Sequence, residues 1–90
     1  MADLDVSVVS ADQQIWSGAA SMVVARTTEG EIGILPGHQP LLAILAAGEV
    51  RLTVAGGGGS VIRANAEDGF LSVEHDTVTI VARNAELVDR

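Results

Sequence analysis

Cysteine and lysine are both absent from these 90 residues, and large rings are nearly so, with Trp16 and Phe70 standing alone. Without cysteine there is no disulfide framework and no thiolate chemistry. Without lysine, Walker-type phosphate binding through that side chain and Schiff-base catalysis are both excluded. The cations are Arg26, Arg51, Arg63, Arg83 and Arg90, set against 12 acidic residues, for a formal charge of −7. The isoelectric point lies near 4.4. Such a surface repels the phosphate backbone and anionic headgroups, which argues against nucleic acid as a partner and against a direct grip on a membrane. Long apolar runs are missing too. The longest, residues 41–47, is far too short to cross a bilayer. The start, Met1-Ala2-Asp3-Leu4-Asp5, lacks the basic region of a signal peptide, so a domain on the cytosolic side is expected.

Hydrophobic residues make up 48% of the chain, which sets it apart from disordered sequences. At this length a single domain is expected, because two cores would each be too small to fold. With few rings the interior must be built from Val, Ile, Leu and Ala, side chains suited to closely packed sheets. Period-two alternation recurs along the chain. Leu4, Val6 and Val8 share one face of a first strand, with Asp3, Asp5 and Ser7 opposite. A turn is expected at Ala11-Asp12-Gln13-Gln14, then a short strand at Ile15-Trp16-Ser17, ended or bulged at Gly18. Residues 21–26 carry Met22-Val23-Val24-Ala25, which reads as a strand buried on both faces. Thr28-Glu29-Gly30 turns the chain into a strand over residues 30–35, broken by Pro36-Gly37. Residues 41–46 suit one helical turn as well as a strand.

Further strands are expected at residues 50–54, 61–66, 70–73 and 77–82, the last entered by a tight turn at Glu74-His75-Asp76. Gly56-Gly57-Gly58-Gly59-Ser60 is a flexible hairpin tip of little functional weight. Residues 84–90 form a polar tail in which Ala85, Leu87 and Val88 could begin a helix. The fold class is therefore all-β, a flattened antiparallel β-sandwich or barrel of about ten short strands. The domain spans residues 1–84, with 85–90 as a tail.

Reactive constellations are scarce. His38 and His75 are the only histidines and have no ligand-like spacing; His38 is a contact residue or a cap for loop carbonyls. Glu29 and Glu31 share one face if the segment is extended, as a solvated turn or as an acidic contact edge. The acidic turns at 67–69 and 74–76 lack calcium-loop spacing, and no nucleophile elbow or dinucleotide fingerprint occurs. No catalytic residue, cofactor site or metal site is expected. Ile32, Ile34, Pro40, Leu41 and Leu42, by contrast, exceed what one short strand can bury on its own core face. A surplus of apolar side chains beside a rigid loop points to a partner surface.

Three runs carry a family resemblance. Val8-Val9-Ser10-Ala11-Asp12-Gln13-Gln14-Ile15-Trp16-Ser17-Gly18 resembles the opening of the ATP synthase epsilon subunit family. Gly30-Glu31-Ile32-Gly33-Ile34-Leu35-Pro36-Gly37-His38-Gln39-Pro40-Leu41-Leu42 is similar to its most distinctive motif, and Gly69-Phe70-Leu71-Ser72-Val73 with Val78-Thr79-Ile80-Val81-Ala82 to the end of its sandwich. The resemblance covers nearly the whole chain and implies a ten-stranded flattened sandwich in the central stalk, bound to the gamma subunit and resting on the ring of c subunits. It implies a peripheral position on the cytoplasmic face of a bacterial plasma membrane. By position, Glu29, Gly30 and Glu31 match the loop facing the ring; His38, Pro40, Leu41 and Leu42 match the segment near gamma. Family members commonly continue into a helical hairpin that in some binds ATP. Here residues 85–90 resemble the stub of the linker to that hairpin, so no ATP binding is expected. Asp68 stands where the family often has glycine, which implies a different bulge there. Competing readings are a cupin-type metal barrel, for which two separated histidines are too few, and an adaptor sandwich with another protein partner.

Overall fold

The computed structural model describes residues 3–10, 13–56 and 60–88, and every regular element among them is a strand. The expected alternation drives the first. In β1 (Leu4–Ser10) Leu4, Val6 and Val8 are fully buried while Asp3 and Asp5 stay exposed. The others are β2 (Gln13–Thr27), β3 (Gly30–Ile34), β4 (Leu41–Ile44), β5 (Gly48–Val54), β6 (Val61–Glu74) and β7 (Thr77–Val88). Their hydrogen-bonded order is β1-β7-β6-β5-β2-β3, with β4 beside β6, and β1 also pairs β2, which closes the ring. All pairings are antiparallel except β1 with β7. These two strands are joined through the rest of the chain rather than by a hairpin, so no tight turn forces them to run in opposite directions.

Three strands are long because they serve both layers. β2 pairs β1 through residues 13–20 and then β5 and β3 through residues 20–27. β6 pairs β5 through residues 61–66 and β4 through residues 70–73, and β7 follows β6 along both parts. Seven strands with three counted twice make 7 + 3 = 10 segments, five to a layer, which accounts for the ten short strands expected. Sequence breaks at Gly18 and around Asp68 are thus positions within continuous strands, not strand ends. Leu4, Val6, Val8, Leu71, Val73, Val78 and Ile80 of one layer meet Val23, Ala25, Ile34, Val50 and Leu52 of the other in a single core, all at most 2% exposed.

Several local expectations give way to this pairing. Gln13 and Gln14, expected in a turn, are paired with Ser10 and Val9; Ala11 and Asp12 lie outside the described residues. Only Val23 and Ala25 of residues 22–25 are buried, since Met22 and Val24 face the partly solvated outer side of the sheet. Residues 41–44 form a strand rather than a helical turn, because β6 offers an open edge for their backbone groups. Residues 85–88 are strand for the same reason: Ala85 pairs Ala66 and Leu87 pairs Ala64, where a helix start was expected. Of the glycine tip, residues 57–59 lie outside the described residues.

The bend in β6 has a definite cause. Asp68 takes a left-handed φ of 65°, and the next residue, Gly69, brings its backbone so close to β7 that a Cβ would lie 1.8 Å from the Val81 carbonyl oxygen. The pairing steps from Glu67–Asn84 to Gly69–Ala82 with no residue inserted, so Asp68 and Arg83 face each other outside the ladder, where they form an exposed ion pair at 3.4 Å.

Gly69→Ala is expected to lower stability by more than about 2 kcal/mol, because backbone must move to admit the methyl group. Gly33→Ala, whose Cβ would meet nothing within 4 Å, is expected to stay within about 0.5 kcal/mol of the parent. Urea unfolding followed by Trp16 fluorescence measures both.

Candidate functional site: a protein-docking surface

The β2–β3 hairpin holds the acidic candidates. Thr27 is 5% exposed, and its hydroxyl donates to the Gly30 carbonyl at 2.7 Å and accepts the Glu29 N–H at 3.1 Å. A buried hydroxyl satisfied on both sides stiffens the turn from within. Gly30 takes φ 116°, a conformation that side chains disfavour. Glu29 sits in the turn and Glu31 on β3, so the two do not share a strand face. The Glu31 carboxylate reaches across the sheet to accept from Arg51 Nη2 at 3.1 Å, while Glu29 is exposed at the tip. The three expected residues therefore lie together as a stiff, acidic corner.

The second group occupies the loop from β3 into β4. The His38 N–H donates to the Leu35 carbonyl at 3.1 Å, closing a turn with Gly37 at φ 89°. His38 is half-buried, and its Nδ1 lies 2.8 Å from the Gln39 carbonyl, so with the proton on Nδ1 the imidazole caps the loop. Pro40 is exposed. Leu41 and Leu42 part company, as neighbours on a strand must: Leu41 packs against the core from the inner face, whereas Leu42 is 69% exposed.

Leu42 belongs to a larger surface. Register places Ile44 opposite Phe70, Phe70 opposite Val81, and Val81 opposite Val9, one row across β4, β6, β7 and β1. The adjacent row runs Leu42, Ser72, Thr79, Ser7 and Ser17. Directly opposed residues project to the same side of a sheet, so both rows lie on the outer face of this layer. Neither contains a charge, whereas the next row on that face, Glu74, Thr77 and Asp5, carries two. Ile44 is 57% and Phe70 40% exposed. The other layer differs: its outer face carries Arg26 opposite Glu31, Arg51 opposite Arg63, and Asn65 between Glu49 and Glu86. Ile44, Phe70, Val81 and Val9 were not singled out from the sequence. Phe70 alternates with the buried Leu71 and Val73, and that period-two signal placed it outside.

Among the described residues no group of three or more His, Asp or Glu is placed to hold a metal ion. A hollow of about 490 Å³ beside the bend of β6 and β7 is lined by Ala47, Gly48, Asn65, Ala66, Glu67, Asn84, Ala85 and Glu86, without a histidine or hydroxyl among them.

Residues 3–88 match the family described as the β-sandwich domain of the ATP synthase delta/epsilon chain. An ATP synthase epsilon chain of Micrococcus luteus is 55% identical over 99% of this chain and 96% of its own length. One from Streptomyces griseus is 47% identical over 98% of this chain and 69% of its own. Among solved structures, a chain in the Euglena gracilis mitochondrial ATP synthase (OSCP/F1/c-ring) superimposes with a TM-score of 0.88 at 26% identity, over 99% of this chain and 57% of that one. A chain of the Tetrahymena thermophila mitochondrial ATP synthase central stalk and c-ring shares the fold at 18% identity and a TM-score of 0.70, covering 91% of this chain and 64% of that one.

Thr27→Val keeps the shape at the acidic corner and removes both hydroxyl bonds. A loss of about 1–2 kcal/mol is expected in urea unfolding, together with faster hydrogen exchange at the Glu29 amide.

Proposed function

The chain belongs to the family of ATP synthase delta/epsilon β-sandwich domains, and from that premise we propose that it is a central-stalk rotor part that binds the gamma subunit through its charge-free patch and meets the c-ring through its acidic corner. Subunits of this kind are not themselves catalytic. The observation that carries the proposal is the contrast between the two outer faces: one studded with Arg and Glu, the other holding a patch of nine register positions in two adjacent rows without a charge, bordered by Asp5 and Glu74. Depletion of charge with exposed aliphatic and aromatic side chains marks the core of a protein interface. Pro40, Leu42, Ile44 and Phe70 form its exposed part, His38 caps the loop at its margin, and Leu41 supports it from the core side.

The acidic corner suits a different kind of contact. Glu29, Gly30 and Glu31 would face polar or arginine-bearing loops of the ring, where rim charges set orientation and encounter more than strength. Proton flow turns the ring, and the sandwich with gamma passes the torque to the catalytic head. A joint of this kind must resist shear, which the three strands shared between layers favour. The working position is peripheral, on the cytoplasmic face of a bacterial plasma membrane.

Leu42→Asp and Pro40→Asp are each expected to weaken gamma binding by about 2–4 kcal/mol, since docking would bury an unpaired carboxylate. Glu31→Ala should cost less than about 1 kcal/mol. Titration calorimetry with purified gamma subunit measures all three; docking-face variants that bind like the parent would reassign the surface. The same chain titrated with Mg-ATP should give no saturable heat, and no ATPase activity is expected.

A further inference from the structure

Among the described residues, one hydrogen bond ties residues 36–40 to a distant part of the chain. The Gly37 N–H donates to Asp76 Oδ1 at 2.7 Å, across 39 residues of sequence. The loop's other bonds are local, from the His38 N–H to Leu35 and between the His38 ring and Gln39. Asp76 is unusually placed to hold it. With His75 (φ 51°) it makes the two-residue turn between β6 and β7, at φ 60°, and its carbonyl accepts the Asp5 N–H at 2.8 Å. Two consecutive left-handed residues are the geometry of the tight hairpin turn whose twist matches the strands. The backbone of Asp76 thus anchors the start of β1, and its side chain is left to reach the loop.

We propose that Asp76 is a positioning residue for docking: its carboxylate latches the loop of residues 36–40 so that Pro40 and Leu42 are presented at a fixed height beside the charge-free patch. This rests on the gamma-docking reading above. Aspartate is one of the few residues besides glycine that enter the left-handed region readily, and unlike glycine it brings a carboxylate within reach of the loop.

Two variants separate the latch from the turn. Asp76→Asn keeps an Oδ1 acceptor and tolerates the left-handed φ; Asp76→Gly keeps the φ and removes the acceptor. Both leave the backbone bond to Asp5 in place. Hydrogen exchange on the free chain reads the latch directly. The Gly37 amide should exchange roughly five- to tenfold faster in Asp76→Gly than in the parent, and near the parent rate in Asp76→Asn. Gamma affinity, by calorimetry, should fall by about three- to tenfold in Asp76→Gly and recover in Asp76→Asn. Unchanged Gly37 exchange in Asp76→Gly would overturn the latch. Faster exchange with unaltered affinity would overturn its part in docking. A parent chain that shows the protected Gly37 amide but ignores the gamma subunit would instead overturn the docking reading, and with it the positioning role while leaving the latch itself standing.

Discussion

Where β6 passes β7 at Gly69, the backbone lies so near the Val81 carbonyl that no side chain fits between them. This close approach lets β6 and β7 turn together from one layer into the other with only the Asp68–Arg83 pair left out of their ladder. β2 makes the same crossing at its register shift between Ala20 and Met22. Because three strands belong to both layers, the sheets cannot slide past one another without breaking backbone hydrogen bonds. In a chain this small, whose core is aliphatic and modest in area, that covalent and hydrogen-bonded continuity does more for rigidity than side-chain packing alone.

Closure of the ring also decides what the outside looks like. With Leu4, Val6, Val8, Val78 and Ile80 drawn inward, the alternate residues Ser7, Val9, Thr79 and Val81 are left outside. β6 and β4 add Phe70, Ser72, Leu42 and Ile44 to the same side. An acidic protein with an uncharged patch has one area where desolvation is cheap, because no ion within it has to be stripped of water. Asp5 and Glu74 border that patch, Glu29 and Asp76 lie in turns, and the opposite face pairs Glu31 with Arg51. In the proposed reading adhesion centres on that patch, with the acidic corner at Glu29 and Glu31 adding an orienting charge at the end of the sandwich.

The loops follow from the frame as well. The Thr27 hydroxyl stiffens the acidic corner from inside, and the Asp76 carboxylate ties the Pro36–Pro40 segment from outside. Each uses one side chain to replace the ladder that a loop lacks. A rotor part has to transmit force through contacts, and both proposed contact regions are fixed to the sheets by bonds of this kind.

Period-two alternation is a local property, and it sufficed to show an all-β sandwich, the inward set of β1, β5 and β7, and the turns around residues 29, 37 and 75. Family membership was legible in the motif of residues 30–42 for the same reason: it is contiguous. Strand continuity was not. Gly18 and Asp68-Gly69 look like breaks to a local reading, and only pairing with β1 and β7 shows that the chain runs through them. Residues 41–44 and 85–88 were ambiguous alone because their strand state depends on open edges supplied by β6. The docking face could not be read either, since Ile44, Phe70, Val81 and Val9 are far apart in sequence and become neighbours solely through register. The bond from Gly37 to Asp76 joins two turns that know nothing of each other until the sandwich closes. Local pattern determined which residues point in; long-range pairing decided which of those pointing out stand together.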